Sequence, residues 1–145
     1  MYDRILVPTD GSDPAAAATE HALEIADRFD ATVHALYVVD TDGIAHEAPG
    51  LGLGALRDAL QEEGEAATAA VEERAEERGV DVTTAVVEGL AEDAIVHYAD
   101  DHEVDLIVMG THGRRGLDRY LVGSVTERVV RATDAPTLVV RGGWD

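Results

Sequence analysis

Two hydrophobic rhythms alternate along this chain. Short, nearly continuous apolar runs recur, and between them apolar residues return at helical spacing. Arg4-Ile5-Leu6-Val7-Pro8 reads as a first buried strand, with Pro8 at its end, where a missing N–H does least harm. A polar turn, Thr9 to Asp13, follows; Asp13 is a suitable N-cap with Pro14 at the first helical position. Ala22, Ile25, Ala26 and Phe29 then recur at i, i+3, i+4, i+7, which predicts a helix to about Asp30. Ala31 to Val39 is the second strand. Asp40 to Gly52 is a loop punctuated by Gly43, Pro49, Gly50 and Gly52. Leu53, Leu56, Leu60, Ala67, Val71 and Ala75 mark one stripe of a long helix ending near Gly79, with Gly64 expected to bend it. Its other face, Glu62, Glu63, Glu65, Glu72, Glu73, Glu76 and Glu77, reads as solvated. Val80 to Val87 is the third strand, Leu90 to His102 a helix with Ala91, Ala94, Ile95, Tyr98 and Ala99 inward, and Val104 to Met109 the fourth strand. A short helical turn is expected over 116–122. Ser124 is expected to cap a last helix in which Val125, Val129 and Ala132 share a face, and Thr137 to Val140 is the fifth strand.

Strands alternating with helices of this length specify parallel βαβ units with right-handed crossovers. Runs of Val, Ile and Leu suit a sheet covered on both faces. The expected fold class is therefore α/β: a five-stranded doubly wound parallel sheet in the order 3-2-1-4-5, with helices on both faces. In that order strands 1 and 4 flank the switch point, and ligands bind there, at the carboxyl ends of the strands. Those ends are Pro8-Thr9-Asp10 and Met109-Gly110.

The whole length, 1–145, is expected to form one domain. No run approaches the ~18–20 apolar residues of a membrane span, and the opening residues do not read as a secretory signal. With no cysteine, disulfides and thiolate metal sites are excluded, and the expected compartment is the cytoplasm. Thirty Asp and Glu against eleven basic residues, all of them Arg, give a formal net charge of −19. Such a chain repels nucleic acid and anionic lipid, so neither is an expected partner. An apolar fraction of 46% and clean periodicity argue for a folded protein rather than a disordered one. The excess acid reads as adaptation to high salt, where the Debye length shrinks to ~3 Å at 1 M; loss of structure on dialysis to low salt is the expected consequence.

The chemistry concentrates after strand 4. The run Leu106 to Met109 stops at Gly110, Gly113 and Gly116 follow, and Gly123-Ser124 opens the last helix. Strand, glycine-rich loop and helix start together cradle phosphate: glycines let backbone N–H groups approach an anion, and the helix start adds unpaired N–H groups and the positive end of its dipole. The glycines alone are also compatible with an ordinary turn. Arg114 and Arg115 would offset the repulsion between this acidic chain and a polyphosphate, and Arg can grip phosphate oxygens in bidentate fashion. Asp10 reads either as a turn residue or, by its place at the switch point, as a ligand contact. The turn Asp10-Gly11-Ser12-Asp13-Pro14 is not a dinucleotide fingerprint, and a Walker A loop needs a Lys that the chain lacks. His97 and His102 are five apart and do not share a helix face as an i, i+4 pair would, and His112 lies in the glycine loop; no metal site is expected.

Gly110-x2-Gly113-x9-Gly123-Ser124, entered from a strand and left into a helix, resembles the ATP-binding signature of the universal stress protein family. The resemblance extends over essentially the whole chain. The opening Ile5 to Ser12 resembles that family's first strand and its Asp, and the resemblance implies that Pro8, Thr9 and Asp10 line the nucleotide. It implies that Val38 packs on adenine, that Met109, Gly110 and Gly113 line the cleft, and that Gly123, Ser124 and Val125 hold the phosphates. Arg114 stands where family members often place a basic residue. The implied ligand is ATP, with Mg²⁺ or Mn²⁺ able to enter on its phosphates. The ending Ala135 to Arg141 resembles the family's C-terminal strand, which implies a homodimer through residues 137–140; an apolar edge strand has its own physical motive for pairing.

The loop offers charge neutralisation but no evident base, whereas phosphoryl transfer needs a positioned nucleophile as well. No catalytic residue is therefore assigned. The expected function is nucleotide-dependent sensing or regulation of a stress response, with little or no ATPase turnover. The alternatives are a slow ATPase or nucleotide-processing enzyme on the same fold and, less well matched, a flavodoxin-like electron carrier.

Overall fold

A computed structural model describes residues 1–40, 53–111 and 123–141. Five parallel strands form one sheet: β1 (Arg4–Pro8), β2 (Thr32–Asp40), β3 (Val82–Gly89), β4 (Leu106–Gly110) and β5 (Thr137–Val140). They lie in the order β3-β2-β1-β4-β5, which is the expected order. The helices between them are α1 (Asp13–Phe29), α2 (Leu53–Glu77), α3 (Ala91–Asp101) and α4 (Ser124–Ala132). Two apolar layers result. Ile5, Val7, Val33, Ala35 and Val108 face Ala18, Ala22, Leu23 and Ala26 of α1 and Val71 and Ala75 of α2. On the opposite face Leu6, Leu36, Ile107 and Met109 meet Ile95, Tyr98 and Ala99 of α3 and Val129 of α4. Among the described residues no helix is long and apolar enough to cross a membrane.

Four local readings change. Ser12, not Asp13, caps α1: its Oγ accepts the Ala15 N–H (3.3 Å), which places Pro14 second in the helix. A serine hydroxyl bonds the third amide of a helix as readily as a carboxylate does, and Gly11 at φ +79° aims it there. Ser124 is likewise the first helical residue rather than the cap. The cap position is Gly123, whose carbonyl accepts the first helical bond from the Glu127 N–H (2.9 Å). Gly64 does not interrupt α2; it gives room to an aromatic ring. A Cβ there would lie 2.6 Å from Tyr37 Cδ1, and the Tyr37 hydroxyl donates to Glu63 Oε2 (2.6 Å), so Glu63 leaves the solvated face. The inward stripe of α1 is alanine-rich and excludes Phe29, which is 45% exposed and stacks edge-on against Tyr2. The loop expected over Asp40–Gly52 and the turn expected over 116–122 fall outside the described residues, apart from Asp40, which ends β2.

Candidate nucleotide cleft at the sheet's carboxyl end

β1 and β4 are neighbours, but they stay paired only for the pairs Ile5↔Leu106 and Leu6↔Ile107. Beyond that point each strand follows its other partner. β1 continues along β2 to Pro8↔Leu36, and the Thr9 N–H donates to Leu36 O (2.8 Å). β4 continues along β5 to Gly110↔Val140, and the Thr111 N–H donates to Val140 O (3.0 Å). Pro8 supplies a reason for the parting. Since the Thr9 N–H faces β2, the alternation of a parallel ladder puts position 8 on the β4 side, and proline has no N–H to continue that ladder. The sheet therefore opens at its topological switch point.

The turn on one side of this opening is held by its own side chains. Thr9 is buried, and its Oγ1 accepts the Gly11 N–H (3.2 Å). Asp10 Oδ1 accepts the Ser12 N–H (3.0 Å), and Ser12 then caps α1. These are ST- and Asx-turn bonds, and they fix the backbone that carries Asp10. On the other side Gly110 is required by packing. A Cβ there would come within 2.8 Å of Pro14 Cβ and 2.9 Å of Pro14 C and O, so this position admits the first turn of α1 only as glycine. The Gly110 carbonyl accepts a bond from Thr126 Oγ1 (2.9 Å), which pins the first turn of α4 to the end of β4. The Gly123 N–H donates to Thr111 O, joining the two described residues that flank 112–122. The N–H groups of Ser124, Val125 and Thr126 precede the first helical bond and have no acceptor within the helix, which makes this end of α4 electropositive.

Pro8, Thr9 and Asp10 thus stand on one lip of the opening, and Met109, Gly110, Gly123, Ser124 and Val125 on the other. Val38, half-buried on β2, packs with Met109 and Val125 into the apolar layer on the α3–α4 face. Met109 is itself buried, so its side chain is mainly a core contact. Gly113 and Arg114, with Arg115 and His112, lie outside the described residues.

This framework matches the model of the universal stress protein family over residues 1–141. The chain belongs to that family. It is 44% identical to the universal stress protein MJ0531 of Methanocaldococcus jannaschii over 97% of its own length and 83% of that protein's. Among solved structures it resembles MJ0577, with a TM-score of 0.86 and 33% identity covering 100% and 99% of the two chains. It also resembles a universal stress protein solved in complex with cAMP, with a TM-score of 0.73 and 27% identity covering 98% of each chain.

Three features of this universal stress protein were not read from its sequence. Thr126 and Ser12 are hydroxyls whose use depends on which backbone atom comes near, and neither spacing announces it. The third is a cluster toward the other end of the sheet, in which His34 and Tyr98 are buried and His102 is exposed. His34 Nδ1 and the Tyr98 hydroxyl share a hydrogen bond (2.7 Å), and the His102 ring stacks on Tyr98 with centroids 3.8 Å apart. His102 Nδ1 donates to Tyr98 O (3.0 Å). Burial, then the nearby His102 and Arg4, hold the His34 pKa below its ordinary value, and burial raises that of Tyr98. Tyr98 and His102 are four apart, and that was the available signal; measuring His102 against His97, which is exposed, obscured it.

Proposed function

We propose that this chain binds an adenine nucleotide in the opening between β1 and β4 and acts as a nucleotide-dependent cytoplasmic regulator in a stress response. The observation that carries the reading is the parting of the sheet at Pro8 beside the first amides of α4, which have no acceptor within the helix. A helix start of this kind accepts phosphate oxygens, and the cleft lies where doubly wound sheets take their ligands. The complex of a related universal stress protein with cAMP supports an adenosine-containing ligand. In this reading Asp10 meets the ribose or adenine end, Val38 and Met109 back the base, and Gly110, Gly123, Ser124 and Val125 surround the phosphates. Gly113 and Arg114, on sequence grounds, complete the phosphate side for ATP. Among the described residues no cluster of His, Asp or Glu could hold a metal by itself, so any Mg²⁺ or Mn²⁺ would come with the phosphates. The regulator is a homodimer through strand 137–140, where Leu138 and Val139 of β5 are only half-buried.

Thermal unfolding in molar salt, with Mg-ATP, AMP, cAMP or GTP, tests the reading. A ligand at 100 times its dissociation constant adds ~2.7 kcal/mol, which for a domain of this size raises Tm by roughly 5–10 °C. A shift with adenine nucleotides and not with GTP is expected. Asp10→Ala is expected to reduce it, and Arg114→Ala with Arg115→Ala to reduce it for ATP more than for AMP. No shift with any nucleotide overturns the proposal.

A further inference from the structure

The sheet has two outer edges, and they are unlike. β5 exposes four residues, whereas β3 exposes eight, Val82–Gly89, and among the described residues β3 pairs only with β2. The Val33 N–H donates to Asp81 O (2.9 Å), and the register runs from Val33↔Val82 to Asp40↔Gly89. Parallel alternation then turns the N–H and C=O groups of Thr83, Ala85 and Val87 toward β2 and those of Val82, Thr84 and Val86 outward. The stretch Val82 to Val87 carries no charge, no proline and no glycine, so it lacks the devices that usually blunt an open edge.

A groove of about 300 Å³ runs along this edge under α2. Gln61, Glu65, Thr68 and Glu72 of the helix line it, with Thr84 and Val86 of the strand. Glu65 and Glu72 are exposed, and among the described residues neither carboxylate has an ion-pair or hydrogen-bonding partner. The flank of α2 toward α1 differs, because there Arg74 meets Glu20 and Arg78 meets Glu24 (3.0 Å). Open main-chain donors and acceptors thus lie beside uncompensated carboxylates.

We propose that the β3 edge is a docking site for an extended basic segment of a partner protein, which adds to the sheet as a sixth strand. Its main chain pairs with Val82, Thr84 and Val86. Alternate side chains of an added strand fall on the α2 side, and Lys or Arg at those positions meets Glu65 and Glu72 in charge-assisted hydrogen bonds. A second copy of this chain is the wrong occupant: it would bring the same two carboxylates against their twins, between chains of net charge −19. β2 separates this edge from the β1–β4 opening, so the site is independent of nucleotide binding.

Amide hydrogen exchange on the full chain, across a salt series, tests this with a short peptide of alternating Lys and Val. The amides of Thr84 and Val86 are expected to slow at least tenfold when the peptide saturates, and a peptide of alternating Glu and Val is expected to leave them unchanged. Replacing both acids, Glu65→Gln with Glu72→Gln, is expected to weaken the Lys–Val peptide about tenfold, or ~1.4 kcal/mol. Thr84→Pro removes one outward N–H and leaves the β2 ladder intact, and it is expected to abolish binding. A peptide N-methylated at alternate residues makes the same test on the unaltered protein. Equal binding of the N-methylated peptide would mean electrostatic capture rather than strand addition and overturns the proposal. So does protection elsewhere or nowhere. Protection of Thr84 and Val86 that rises with protein concentration without peptide would identify a second copy as the occupant and overturns it too.

Discussion

The two ends of the same sheet are built on opposite principles. At the amino end every strand is tied to its neighbour before the strands properly begin. The Thr32 N–H donates to Asp3 O, and the Asp105 N–H to Arg4 O, both at 2.9 Å. The Asp105 carboxylate accepts the N–H groups of Asp3 (2.8 Å) and Arg4 (2.9 Å). A buried histidine is held there between Leu6 and α3 with its polar atoms satisfied. At the carboxyl end the β1–β4 ladder stops, and the chain invests its hydrogen bonds in fixing the two lips separately. Closure at one end lets the other stay open without loss of the sheet. A site needs unpaired backbone groups, and the fold can leave them unpaired only where the rest is over-determined.

Each prediction attacks one term of this contrast. The largest effect is expected from Gly110→Ala. Its methyl group would overlap backbone atoms of Pro14 rather than a movable side chain, so a loss of about 1–3 kcal/mol in denaturant unfolding is expected. Unchanged stability would show that α1 does not press on the β4 lip. Next is the amino end under acid. The folded pKa of His34 lies below its ordinary 6.5, so the unfolded chain takes up the proton first. Stability is complete above about pH 6.5 and falls as pH drops through the folded pKa, by ~1.4 kcal/mol for each unit of depression. Because burial is the largest cause, the fall is expected to persist in molar salt, which screens the contributions of His102 and Arg4. His34→Gln is expected to flatten the profile in this range, and a profile unchanged from the parent would refute the assignment. The smallest effect on stability, under about 1 kcal/mol, is expected from Pro8→Ala. Its new N–H can reach the Val108 carbonyl and carry the β1–β4 ladder one step further. Slow exchange of that amide, with a reduced nucleotide-induced Tm shift, is the expected result; a fast-exchanging amide would mean that proline is not what parts the strands.

Much of this was legible in the chain. The alternation of β-length apolar runs with helical stripes left few topologies open, right-handed crossovers reduced them further, and the observed order is the one expected among those that remain. Pro8 and Gly110 stood out because proline lacks a backbone N–H and glycine lacks a side chain, so each marks a place where the backbone does something other residues cannot. Residues with versatile side chains were harder to read. Ser12 and Asp13 are both competent caps, and the choice turned on a left-handed Gly11. Gly64 looks like a kink in a helix read alone, until Tyr37 is seen to occupy its missing side chain. Thr126 is one more polar residue in a helix until the Gly110 carbonyl arrives from a different strand. Nor did the acidic face of α2 distinguish the flank paired with α1 from the flank left open over β3.

The sequence by itself therefore determined the elements and their βαβ alternation, because periodicity, chirality and the backbone limits of glycine and proline act locally. Only the tertiary structure decided where the β1–β4 ladder ends, which hydroxyl meets which carbonyl, that His34 and Tyr98 share a buried bond, and that β3, among the described residues, pairs only with β2. Those depend on distances between segments far apart in the chain, and a short polar side chain carries no local mark of the partner that packing will bring to it.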